Sequence, residues 1–152
     1  MAKVREVGDD YRGEEGRIGY LLLQAQHAFA SAMESALRPF GLSRAQFGTL
    51  SVVVRQPGLS SADLARAVIV TPQAINLLVA GLERDGFIER RPHPTHGRIL
   101  EIHPTRKGRR TLDAAYPAVI ALEDRISADL DHRQLALIKR WLVDTARALT
   151  VR

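Results

Sequence analysis

Between residues 42 and 108 the chain signals helix starts and stops so often that few folds can accommodate it. Ser43 is followed three residues on by Gln46, a capping box in which each side chain satisfies the other residue's free backbone N–H. Phe47, Leu50, Val53 and Val54 give the helix that starts there an apolar face, and Gln56-Pro57-Gly58 stops it. Ser60, with Asp63 in the matching position, opens a second helix, in which Leu64, Ala65, Ala67 and Val68 are expected to pack inward. After a turn at Ile69-Val70, Thr71-Pro72 opens a third: a threonine cap, then proline at the first helical position, where its missing N–H costs nothing. That helix is predicted to run to about Asp85, with Gly86 as a left-handed cap. Two strand-like runs follow, residues 87–91 and 98–103, joined by the turn-forming loop Pro92-His93-Pro94-Thr95-His96-Gly97. Three short helices and a basic hairpin are the order of a winged helix-turn-helix, a fold that grips duplex DNA.

Longer helices flank this core. Residues 17–40 carry Ile18, Leu22, Ala25, Phe29, Met33 and Leu37 at helical spacing, and Pro39-Phe40-Gly41 ends them. Thr105 is expected to cap a helix reaching about Leu130, with Leu112, Tyr116, Val119, Ile120 and Ile126 on its apolar face. Asp131 and Gln134 form a capping box for a last helix bearing Leu135, Ile138, Leu142 and Leu149. Trp141 and Tyr116 fall on apolar stripes and read as core or dimer packing. Residues 1–16 are polar and read as loosely attached. The fold class expected is mainly α with a small β-wing, in one domain covering residues 1–152: terminal helices at 17–40 and 111–150, and a winged lobe at 42–110.

Charge is concentrated where DNA would be gripped. Residues 84–110 hold eight Lys/Arg (Arg84, Arg90, Arg91, Arg98, Arg106, Lys107, Arg109, Arg110) against Asp85, Glu89 and Glu101, a net +5 that equals the formal charge of the whole chain. A localised basic surface is the footprint of a phosphate binder. The pI near 10.2 points the same way. Arg106, Lys107, Arg109 and Arg110 crowd the first turns of a helix, where positive charge opposes the dipole. A solvated face is the plain reading of that cluster, and the dipole conflict favours phosphate contact for part of it. Arg90 and Arg91 alternate across a strand, so one of them faces the DNA.

Other chemistries find little support. The chain has no cysteine, which excludes disulfides and thiolate zinc sites. It lacks a glycine-rich phosphate loop, an HExxH pair and a nucleophile-elbow serine, so no enzymatic activity and no cofactor are expected. No apolar run approaches the roughly 18 residues of a membrane span, and the N-terminus has no signal core, so a cytoplasmic protein is expected. His93 and His96 on the loop, with His103 on the second strand, read as a surface feature in preference to a metal site. On the first helix Tyr20, Gln24, His27 and Ser31 form a polar stripe. It can line an effector cleft, with His27 pairing an anion and Tyr20 stacking on a ring, or simply face solvent or a second subunit.

The run LSRAQFGTL through LSSADLARAVIVTPQAINLLVAGLERDGFIERRPHPTHGRILEIHPTRKGRR resembles the MarR family of bacterial transcription regulators across residues 42–110. The capped LSxxQF helix, the LA turn, the LxxxG hinge before the first wing strand and the TxxG helix start after the second carry the resemblance together. It implies a triangular homodimer whose terminal helices form the base, with two winged lobes reading a pseudo-palindromic operator, and a small aromatic or anionic ligand that releases the DNA. Some relatives sense zinc near the dimer base, which keeps His27 in view. Two departures matter. Where the family's wing carries Asp-Arg-Arg, this chain has His96-Gly97-Arg98: Arg98 keeps the place of the minor-groove arginine, and His96 replaces the acid that steadies it. His96 would then act as one more phosphate contact or make the wing pH-sensitive. On the recognition helix, Leu77 and Gly81 stand where relatives often place arginine, so base reading is expected to fall to Thr71, Gln73, Ala74 and Asn76. The alternative from another class is a winged-helix module for protein contact or dimerisation, without operator DNA; the +5 of residues 84–110 argues against it.

Overall fold

In the computed structural model, which describes Gly13 and residues 15–150, the elements run α1 (Ile18–Leu37), α2 (Arg44–Arg55), α3 (Ser61–Val68), α4 (Pro72–Arg84), β1 (Ile88–Pro92), β2 (Leu100–Pro104), α5 (Arg106–Ser127) and α6 (His132–Leu149). A single 3-10 turn, Arg38–Phe40, ends α1 and closes at Gly41 in the left-handed region (φ 68°). Apart from Gly13, Glu15 and Gly16, the expectation for residues 1–16 lies outside the described residues.

The helix starts form as capping chemistry dictates. Ser43 accepts from the Gln46 N–H at 3.1 Å while Gln46 accepts from the Ser43 N–H at 2.9 Å, and Asp131 and Gln134 do the same at 2.8 Å each way. Ser60 accepts from the Asp63 N–H at 3.2 Å, but the reciprocal bond differs. The aspartate side chain, one methylene shorter than glutamate, accepts from the Ser60 hydroxyl at 2.7 Å instead of from its backbone. Thr71 accepts from the Ala74 N–H at 3.1 Å. Gly86, at φ 75°, donates to Glu83 O, and Phe87 N–H reaches back to Leu82 O at 2.8 Å, closing α4 in a Schellman-type turn.

The chain divides into two compact units, residues 1–119 and 120–152. In the first, Leu37, Leu50, Val53, Leu64, Ile75, Val79, Leu82, Ile88, Ile102 and Leu112 are fully buried and form one core, to which α1 and α5 contribute Leu37 and Leu112. Ala67 turns to solvent, contrary to expectation, because α3 is short and buries only the Leu64–Ala65 side. The buried hydroxyls of Thr49 and Ser51 donate to the carbonyls one turn back, Ala45 O and Phe47 O. In the second unit, α6 leaves Leu137, Ile138, Trp141 and Leu142 exposed on one side of the helix.

The hairpin sits one to two residues later than the sequence pattern suggests. β1 and β2 pair antiparallel with Ile88 opposite Pro104, Arg90 opposite Ile102 and Pro92 opposite Leu100. A long-range contact accompanies this register: Ile102 donates to Leu59 O and accepts from the Gly58 N–H, both at 2.9 Å, adding a one-residue third strand. Gly58 sits at φ 91°, a conformation that favours glycine. Arg98 therefore lies on the connecting loop and not on β2. Similarly, α5 ends at Ser127, three residues before the expected Leu130.

The start of α5 is bound tightly to the start of the hairpin. Thr105 Oγ1 accepts from the Gly108 N–H at 3.0 Å and donates to Gly86 O at 2.6 Å, and the Thr105 N–H donates to Phe87 O at 3.0 Å. A Cβ on Gly108 would stand 2.0 Å from Phe87 O, so only glycine fits. Gly48, on the exposed side of α2, has nothing within 4 Å of where a Cβ would be. The two Gly→Ala substitutions are thus expected to have opposite signs. Gly48→Ala should stabilise by up to about 1 kcal/mol through helix propensity, and Gly108→Ala should destabilise by about 3 kcal/mol through overlap. Urea unfolding reads both, and equal effects would contradict the close approach.

Candidate nucleic-acid interface

α4 has two faces set by its 3.6-residue period. Ile75, Val79 and Leu82 are buried, while Gln73, Asn76, Leu77, Ala80 and Arg84 are exposed. Thr71 is exposed at the N-terminus, and its hydroxyl accepts from Ala74, which leaves its proton available to a phosphate oxygen beside the positive end of the helix. Ala74 is half-buried, so of the four expected base readers Thr71, Gln73 and Asn76 share the open surface and Ala74 lies at its edge. Two clefts flank the helix. One, of about 810 Å³, lies between α3 and α4 and is walled by Arg66, Ile69, Val70, Pro72, Ile75 and Asn76, among others. The other, of about 570 Å³, lies toward the start of α2 and includes Ser43, Gln46, Leu77, Gly81 and Arg84. Tyr20, Gln24 and His27 lie along α1, and none of them lines either cleft.

The cations divide into two groups. Arg90 on β1 holds Glu83 of α4 through its Nε at 3.0 Å and through a second guanidinium nitrogen on the same oxygen. Arg91 holds Glu89 in the same way, and Arg84 reaches Asp85 at 3.1 Å. Lys107 donates to Asp85 O at 2.6 Å and lies 4.8 Å from the centre of the Phe87 ring. Its charge thereby sits at the C-terminal end of α4, where the dipole favours a cation, which relieves its share of the conflict expected at the start of α5. Among the described residues Arg98, Arg106, Arg109 and Arg110 have no carboxylate at ion-pair distance, and all four are exposed.

The wing loop is organised by its own hydrogen bonds. His93 N–H donates to Ile99 O and Ile99 N–H to His96 O, both at 2.8 Å. The backbone N–H groups of Thr95 and His96 both donate to His93 Nδ1 at 3.2 Å. With Nδ1 accepting these bonds, Nε2 is the ring nitrogen left to donate, and it lies 3.6 Å from Glu101 Oε1. His103 Nε2 lies 3.0 Å from the other oxygen of Glu101. A metal-bound histidine donates through its second nitrogen; here that nitrogen accepts, so His93 is arranged to face a carboxylate. No three His, Asp or Glu side chains among the described residues are placed to hold a metal ion. His96 packs obliquely on His93, with ring centres 5.2 Å apart. Sequence reasoning missed Glu101 as the base of this loop; its i, i+2 spacing with His103, which puts both on one face of a strand, is the signal that points to it.

Helix-turn-helix, exposed amide-bearing recognition face and a wing tipped by unpaired arginine define a winged-helix DNA-binding protein. Comparison with known proteins agrees. The MarR family profile matches residues 40–99. The HTH-type transcriptional repressor Rv2887 of Mycobacterium tuberculosis is 36% identical over 129 residues, 85% of this chain and 93% of the relative. Rv2887 solved in complex with DNA matches at TM-score 0.69 and 35% identity, over 86% of this chain and 98% of that one. Its complex with p-aminosalicylic acid matches at TM-score 0.66 and 34% identity, over 86% and 99%. CouR from Rhodococcus jostii RHA1, bound to p-coumaroyl-CoA, matches at TM-score 0.76 and 27% identity, over 89% and 95%. The chain belongs to the MarR family.

The Arg90 hydrogen bonds hold the Glu83 carboxyl below its ordinary range, and the same contact raises Arg90. A carboxylate held down in the folded state stabilises above its unfolded pKa, and that stabilisation fades as pH falls through the folded value. Glu83→Gln is therefore expected to cost less than about 1 kcal/mol at neutral pH, as partly exposed pairs do. It should also flatten the loss of stability on acidification, with no change in slope between pH 6 and 8. Denaturant titrations across pH check this, and an unchanged acid limb would contradict it.

Proposed function

We propose that this chain is a ligand-responsive transcriptional repressor that binds a pseudo-palindromic duplex operator as a homodimer. The observation that carries the reading is the exposed face of α4, with Gln73 and Asn76 beside the Thr71 cap, next to a hydrogen-bonded wing loop that presents Arg98 without a carboxylate partner. Gln and Asn can each make two hydrogen bonds to the N6/N7 edge of adenine, so A·T pairs are expected under this helix. Arg98 enters a flanking minor groove, and Arg106 and His96 contact phosphates. Arg84, Arg90, Arg91 and Lys107 already have intramolecular partners, so their part in binding is to shape the surface or to exchange a weak exposed pair for a phosphate. The DNA complex of the similar Rv2887 supports the reading.

The whole chain acts as one functional domain, with residues 17–40 and 111–150 as dimerisation helices. The exposed apolar face of α6 supports this role. Repression follows the similar repressors, and the cytoplasm, where an operator is available, is the place of action. No single described helix is long and apolar enough to cross a membrane. The effector is a small aromatic anion, the class that includes the p-aminosalicylic acid bound to Rv2887. It is received along α1, where His27 meets the carboxylate and Tyr20 and Gln24 meet the ring and its substituents.

Two experiments test these roles. In binding titrations over a range of salt, Arg98→Ala should weaken operator affinity and lower the salt slope by about one, whereas Asn76→Ala should change sequence preference with the slope kept. If both variants behave alike, the roles are wrongly assigned. Salicylate should raise the melting temperature of the free protein and release it from the operator. His27→Ala should reduce both effects at least severalfold, and release that is unaffected by His27→Ala would place the ligand elsewhere.

A further inference from the structure

Leu77 and Ile69 are the two most exposed large apolar side chains among the described residues, at 78% and 91%. Both stand on the helix-turn-helix. Ile69 shares the α3–α4 cleft with Asn76, and Leu77 lines the cleft on the other flank of α4. Neither serves the fold. Ile69 is the one non-glycine among the described residues with positive φ (56°), a region that a β-branched side chain rarely adopts. Leu77 lies on the stripe opposite Ile75, Val79 and Leu82 and covers none of the core. This surface therefore keeps apolar side chains where folding gains nothing from them.

The neighbours of Leu77 identify what covers it. Gln73 is one turn before it, Asn76 directly beside it, Ala80 three residues on and Arg84 further along, all exposed. A lone leucine among amides does not match a protein interface, whose buried centre is a cluster of apolar side chains. Such a cluster exists on α6, where Leu137, Ile138, Trp141 and Leu142 are exposed on one side, whereas Leu77 stands alone. It does match the major groove, where an adenine offers two hydrogen-bonding atoms and its paired thymine a methyl group at the groove surface. We propose that Leu77 is a specificity-determining residue that reads the 5-methyl group of thymine beside the base pair addressed by Asn76. This rests on the operator-binding reading above and adds to it an apolar component that discriminates A·T from the other pairs by burial.

The test uses the full-length protein and the operator it selects from a pool of random duplexes. Each thymine of one half-site is replaced in turn by deoxyuridine, which removes only the methyl group. For the wild-type protein, one or two adjacent positions should weaken binding by about fourfold, the effect of burying one methyl-sized group. Leu77→Ala should bind the thymine operator about as weakly and lose its distinction between thymine and uracil there, with salt slope, circular dichroism and sedimentation unchanged. Leu77→Met should retain the distinction. Selection of an operator with no uracil-sensitive position, or sensitivity that survives Leu77→Ala, would overturn the role of Leu77 while leaving operator binding intact. A change in sedimentation for Leu77→Ala would overturn it by placing Leu77 in a protein contact. Failure of the wild-type protein to select any operator would remove the operator-binding reading itself, and the proposal with it.

Discussion

The meeting of Gly86 and Phe87 with Thr105 and Gly108 is the contact on which the DNA-binding lobe depends. Gly86 closes α4, Phe87 leads into β1, and Thr105 with Gly108 begins α5, so one small cluster joins the end of the recognition helix, the root of the wing and the start of the long helix. The Thr105 hydroxyl both donates to Gly86 O and accepts from Gly108 N–H, using its donor and one acceptor at once. The missing Cβ of Gly108 lets the helix backbone come up against Phe87 O. Lys107 closes the outer side over the Phe87 ring and Asp85 O. Because all of these groups are short, the angle between recognition helix and wing is fixed by backbone and near-backbone atoms, with little slack. A site built from two elements is only as precise as the joint between them, and this joint is made of short groups.

Charge is organised around the same frame. Arg90 crosses from β1 to Glu83 on α4 and braces the wing against the recognition helix a second time, further from the junction. Of the eight cations in residues 84–110, Arg84 and Arg91 pair with Asp85 and Glu89, which the net +5 already includes, and Arg90 pairs with Glu83, which lies outside that count. The field that remains comes from the wing tip and the outer start of α5: Arg98, Arg106, Arg109 and Arg110. Counting cations along the sequence locates a basic surface but does not tell which of its side chains already have partners within the chain.

What could be read in the sequence follows from how far apart the interacting residues are. The Ser43–Gln46 and Asp131–Gln134 boxes join positions three apart, so the pattern alone specifies them. The apolar faces of α2 and α4, the Thr71-Pro72 start and the Gly86 stop are local in the same sense. The strand limits were not, because the bridge from Ile102 to Leu59 crosses more of the sequence than any local pattern spans. Nor was the Lys107 contact with Asp85, between residues 22 apart. Along the wing, the local pattern shows the histidines as a surface feature, and only the fold reveals that Glu101 lies beside both His93 and His103. The fold class was therefore legible almost completely, and the site as a set of exposed side chains; which cations are already occupied depends on packing.

The frame constrains some positions of α4 and leaves others open. Ile75, Val79 and Leu82 orient α4, and any sequence with this fold must supply equivalents. Gln73, Asn76 and Leu77 project from the same helix away from the core, so changing them leaves the core contacts intact while altering the exposed surface. Ile69 goes further, since its backbone conformation works against the side chain it carries. A rigid junction makes this separation possible: with Thr105 and Gly108 holding the helix and wing in place, the exposed side chains of α4 can be exchanged one at a time at little cost to the stability of the lobe.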